Sequence, residues 1–118
     1  MKVAEYAIAA LNGKPGFHIN FMIDISPDCD CWGYNDKPIV ADIGIAASFD
    51  PVALDKACAD LVLNAPLLPG TVITQNKPDR PEVNDHFGQI HSHSDWRVAL
   101  KHAEHLGMGS MDYTLKKV

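Results

Sequence analysis

The hydrophobic positions of this chain change period several times, and each change predicts an element. Val3, Tyr6, Ala7, Ala10 and Leu11 recur at the spacing of one helical face, and Gly13 stands where such a helix can close. From Phe17 the period drops to two. Phe17, Ile19, Phe21, Ile23 and Ile25 alternate with His18, Asn20, Met22 and Asp24, which predicts a strand. A second alternation predicts another strand, with Ile39, Ala41, Ile43 and Ile45 on one side and Val40, Asp42, Gly44 and Ala46 on the other. The helical period then returns as Leu54, Ala57, Cys58, Leu61 and Val62. Asp50 can cap that helix, Pro51 suits its first turn, Asp55 lies near the positive end of its dipole, and Pro66 stops it.

From residue 65 to 93 no period holds. Four prolines and scattered charges predict a long irregular loop, a length that usually serves function or covers a partner. Trp96, Ala99, Leu100 and Ala103 restore a helical stripe, opened by Ser94 or Asp95 and ended by Gly107. Tyr113 and Leu115 alternate with Thr114 and Lys116, predicting a short last strand. The pattern predicts one α/β domain over residues 1–118, with a small mixed sheet of about three strands packed with about three helices. So small a sheet invites completion by another subunit, and a homo-oligomer is expected.

Composition narrows the class. A 118-residue chain with 47% hydrophobic residues can build a core. Its net charge of −5 argues against a nucleic-acid partner, which needs a basic face. No apolar run reaches the length of a membrane span, so no membrane partner is expected. The first residues, MKVAEYAIAALNGK, read as a helix and not an export signal, which predicts a cytoplasmic setting. In that setting the three cysteines predict free thiols or metal ligands and not a disulfide framework.

The chemistry concentrates in SPDCDCWGYNDKP, residues 26–38. Cys29 and Cys31 are separated by one acid in a loop bounded by prolines, and two thiolates so placed can face one soft or borderline cation. A disulfide between them would be strained. Two thiolates are half a tetrahedral site, and strand alternation nominates further ligands: His18, Asn20 and Asp24 on the polar side of the first strand, Asp42 on that of the second. The plainer reading is a turn capped by Asp30, with the thiols as packing groups. Cys58 sits in an apolar stripe and reads as a core thiol. His86, His91 and His93 read as a solvated loop, and His102 and His105 as surface residues. No phosphate-cradling loop and no G-x-S-x-G elbow is present.

Three blocks in this order carry a resemblance: HINFMIDISPDCDCW, DIGIAASFDPVALDKACADLV and DWRVALKHAEHLGMGSMDYTL. Together with EYAIAALNGK they resemble the closing region of the iron–sulfur centre protein family catalogued as a domain of unknown function, number three-six-two. The combination of CDC, DIG and DPVALDKA carries the specificity. Longer members resemble proteins with an upstream α/β region and often a ferredoxin-like segment, so this chain looks like a stand-alone C-terminal piece or a fragment. The spacing and alternation predict a metal ion, zinc or iron, with Cys29 and Cys31 as primary ligands and Asp42, His18 and Asp24 as further ones. The resemblance strengthens that expectation and implies a ferredoxin-like domain or protein as partner. An iron–sulfur cluster belongs to the full-length context, because clusters generally need four cysteines. The family implies no settled reaction. The leading expectation is a metal-binding domain serving redox or metal handling. The alternative is a non-enzymatic assembly module with a structural CDC turn, and a weaker third is an enzyme using Asp42 and a metal-bound water.

Overall fold

The elements in chain order are α1 (Lys2–Leu11), β1 (His18–Met22), β2 (Gly44–Ser48), α2 (Pro51–Asn64), α3 (Val72–Gln75), α4 (His86–Ile90) and α5 (Trp96–His105). The structure, a computed structural model, describes residues 2–75 and 85–118. The chain gathers into two units, one of residues 1–21, 45–60 and 95–118, the other of residues 22–44 and 61–94. The architecture is mixed α/β, as the periods predict. Among the described residues the sheet is an antiparallel pair, β1 beside β2, and not the expected three strands.

In the first unit α1 packs on α5, around a core of Ala4, Val52, Leu100 and Ala103 with Trp96, Leu106, Met108 and Met111 against it. The buried side of α1 differs from the expected stripe. Ala4 is buried and Ala7, Ile8 and Leu11 half-buried, whereas Val3, Tyr6 and Ala10 are exposed. Both sets keep the helical spacing and share Ala7 and Leu11; small side chains let α1 approach α5 closely. The helix closes with Asn12 and Gly13 both left-handed, at φ 47° and 69°.

α2 begins as its sequence dictates. Asp50 Oδ1 accepts from the Val52 and Ala53 amides, each at 2.9 Å, which satisfies two of the donors orphaned at a helix start. Leu54, Ala57, Cys58 and Val62 are buried and Leu61 half-buried, as expected. The other oxygen of Asp50 takes the Ser110 amide at 2.8 Å, which ties the chain after α5 to the start of α2. α5 is capped by Asp95, whose carboxylate accepts the Arg97 amide at 3.0 Å, and it closes at Gly107, φ 75°. His102 is not a plain surface residue: it is half-buried and its Nε2 lies 3.3 Å from Glu5 of α1.

Residues 113–116 form no strand. Tyr113 instead donates its hydroxyl to Asp60 at 2.8 Å, a side-chain tether in place of a backbone ladder.

The second unit is built around Ile39, Val40, Val62 and Ile73, with Ile25, Ile43, Leu67, Phe87 and Ile90 against them. Here the predicted second strand is displaced. Ile39 and Val40 are both buried, and Val40 bridges to Leu67. The Ile43 amide donates to the Met22 carbonyl at 2.9 Å, and β2 itself starts at Gly44, whose φ of 137° breaks the extended run. β1 likewise ends at Met22, before the predicted Ile25, because Asp24 turns left-handed at φ 47°. The predicted irregular segment contains two short helices. α3 follows the fully buried Thr71, and α4 is capped by Asp85, which accepts from the Phe87 and Gly88 amides at 3.1 Å each. Residues 76–84 of that segment lie outside the described residues.

Candidate functional site

The CDC loop lies in the second unit, and a single asparagine organises it. Asn35 donates through Nδ2 to Ser26 Oγ at 2.9 Å, to the Asp28 carbonyl at 2.8 Å and to the Cys29 carbonyl at 3.2 Å. Its Oδ1 accepts the amides of Asp28 at 3.1 Å and Asp36 at 3.0 Å. One short side chain thus satisfies backbone that has no helix or sheet to bond to. The Trp32 amide closes a turn onto the Cys29 carbonyl at 2.9 Å. His91 adds an anchor from outside the loop, its Nε2 2.8 Å from the Pro27 carbonyl. A carbonyl only accepts, so Nε2 carries the proton and donates. The Asp28 carboxylate lies 3.9 Å from the same nitrogen.

Held this way, Cys31 Sγ lies 2.9 Å from Cys29 Sγ, and both thiols are free and exposed. The contact with Cys31 pushes the Cys29 thiol above its ordinary value of 9.0, with the Asp30 carboxylate adding in the same direction. Trp32 and Tyr34, which follow the pair in sequence, are exposed, with ring centroids 6.1 Å apart.

The other nominated ligands are placed differently. Asp24 and Asp42 do meet, but through the Asp24 amide, which donates to Asp42 Oδ1 at 3.0 Å. That contact fixes the turn after β1 and uses one Asp42 oxygen. His18 belongs to the first unit, where its ring lies against Gly16 so closely that a Cβ there would stand 2.7 Å from Nε2. Asn20, in the same unit, donates to Asp55 at 3.0 Å and towards Cys58 Sγ at 3.6 Å. Burial pushes the Cys58 thiol up from 9.0, partly offset by the Asn20 hydrogen bond, which suits a core thiol and not a ligand. Among the described residues no three His, Cys, Asp or Glu side chains come together as a metal site. The expected solvated loop of His86, His91 and His93 does not hold: His86 is buried with Nε2 3.1 Å from the Ala65 carbonyl, and His91, though exposed, is anchored on Pro27. Asn35 escaped the sequence reading. The turn-forming YND after the cysteines hinted at it; nothing local could announce a contact between residues as far apart as 27 and 91.

A family model described as domain of unknown function, DUF362, matches residues 2–60. The chain belongs to the DUF362 family. The match spans α1, both strands, the CDC loop and the start of α2 in this DUF362 chain, and ends before the block at residues 95–115. No curated protein and no solved structure matches it. Membership therefore brings no assigned reaction to the CDC loop. Among the described residues, no helix is long and apolar enough to cross a membrane.

Proposed function

We propose that this chain handles a thiophilic metal ion through Cys29 and Cys31. The reading rests on one observation, two exposed sulfurs held 2.9 Å apart by a loop with its own bonding framework. The donor set fits two ligands. Tetrahedral thiolates about 2.3 Å from one ion stand about 3.8 Å apart, so the pair opens by less than an ångström to accept it. Thiolate softness selects zinc, iron or copper(I) over magnesium or calcium. Cys29 and Cys31 would hold such an ion as two thiolate ligands, and its remaining donors would have to come from elsewhere, which suits handing on and not storage. A ferredoxin-like domain or protein is the partner this reading adopts, and a reducing cytoplasm is where such thiols persist. A four-cysteine cluster does not fit this chain alone, because the sequence holds three cysteines and the third, Cys58, is buried.

Elemental analysis of protein purified without a histidine tag tests this. About one equivalent of zinc or iron per chain is expected, lost when Cys29 and Cys31 are both replaced by serine while helical circular dichroism is kept. Full occupancy in that double variant sinks the reading. A second reading, an assembly module, is favoured by a separate observation: the two-stranded sheet leaves large apolar side chains exposed. It carries an oligomer, and it stands alone if no metal is found.

A further inference from the structure

The sheet turns its apolar side to solvent. Phe17, Ile19 and Phe21 are 58%, 50% and 63% exposed, and Ile45 and Phe49 are 64% and 77% exposed. The Phe17 and Phe49 rings lie 4.9 Å apart, which puts the odd-numbered positions of both strands on one side, Ala47 included. The even positions are the ones less exposed, as in the pairing of Asn20 with α2. No charged residue occupies the exposed side: Phe17, Ile19, Phe21, Ile45, Ala47 and Phe49 are all apolar.

At roughly 200 Å² for a phenylalanine and slightly less for an isoleucine, this face exposes on the order of 600 Å², the upper end of what a monomer leaves bare. Two copies packed on it remove about 1,200 Å², the lower bound for a stable specific interface. We propose that two copies of the chain associate face to face through this side of the sheet, as aligned sheets about 10 Å apart. A patch without charges is complementary to itself, as a two-fold interface requires. It offers no pattern to select a partner of another chemistry, and a chain of net charge −5 is repelled by anionic lipid. The proposal rests on the oligomeric reading above and adds its surface.

Sedimentation equilibrium from about 0.1 to about 100 μM tests it, a range that brackets micromolar association. Wild-type chain is expected to reach a dimer. Ile19→Lys and Ile45→Lys, each burying an unpaired charge, should raise the dissociation constant on the order of 100-fold with circular dichroism unchanged. Tyr6→Lys, exposed on α1, should not. Ile45→Thr keeps a branched strand residue and should give a smaller shift, so the test survives if a lysine variant misfolds. A wild-type monomer throughout overturns both this proposal and the oligomeric reading, as does a monomer that co-sediments with phosphatidylcholine vesicles. A dimer indifferent to Ile19→Lys, Ile45→Lys and Ile45→Thr overturns the face alone.

Discussion

At the scale of single residues, Asn35 matters more than the cysteines' own sequence spacing. Five hydrogen bonds converge on its amide group, and no other amino acid of that length offers two donors and an acceptor. Asn35→Ala should cost about 1–2 kcal/mol by urea unfolding, limited by the loop's exposure. It should weaken zinc binding by about tenfold, read by competition with a chromophoric chelator, because two freed thiols must then be brought together. Asn35→Asp keeps the acceptor and loses the donors, so it should sit nearly as low as alanine. The second residue-scale prediction concerns Tyr113 and Asp60. The hydrogen bond to Asp60 raises the Tyr113 hydroxyl above 10.0. Burial pushes Asp60 up, but hydrogen bonds from Lys56 and Tyr113 outweigh it and hold the carboxyl below 3.8. The tyrosine's contribution is complete below its unfolded value and is lost as pH rises through the higher folded value. The aspartate's is present above its unfolded value and is lost as pH falls through the lower folded one. Spectrophotometric titration should show one tyrosine ionising late, and Asp60→Asn should return it towards 10.0.

At the scale of elements, what could be read in advance follows from which signals are local. The cap of α2 and its buried stripe were legible because Asp50, Pro51 and the Leu54 to Val62 period act within one helix. Period was legible in α1 and β1, but facing was not. Two stripes of α1 are equally helical, and only the fit of Ala4 against α5 chooses between them. In β1 alternation was correct, yet the apolar side faces out and His18 and Asn20 lie on the less exposed side. A period of two cannot tell which side another element covers. The same limit applied to the site: adjacency in sequence placed Cys29 beside Cys31, but the partners of Asp42, Asp24 and His18 depended on turns at Asp24 and Gly44. One element-scale prediction tests the reach of a cap. Asp50 serves α2 and also holds the Ser110 amide, so Asp50→Ala should cost about 2–3 kcal/mol, above the ordinary 1 kcal/mol of a lost cap. Gly109→Ala should destabilise by the same route, because a Cβ there collides with the Asp50 carboxylate. The Asp50→Ala, Gly109→Ala double variant should therefore be less destabilised than the sum, measured as a double-mutant cycle.

At the scale of the whole molecule, charge and apolar surface pull in opposite directions. Fifteen acidic residues against ten basic ones give each copy a net charge of −5, so two copies repel as they approach. The proposed contact face carries none of that charge, and its attraction comes from removing phenylalanine and isoleucine from water. Salt acts on only one of these terms at moderate concentration. Raising it from about 20 mM to about 0.5 M shortens the screening length from roughly 20 Å to roughly 4 Å, which suppresses repulsion between the copies and leaves the apolar gain intact. Dimerisation should tighten by roughly 3- to 10-fold across that range, followed by sedimentation at fixed protein concentration. Lowering the pH towards the pI near 5.5 should act in the same direction, by bringing the net charge of each copy towards zero. An association held together by ion pairs between the copies would respond in the reverse sense, weakening as salt rises. The sign of the salt dependence thus separates an apolar contact face from a polar one without any mutation.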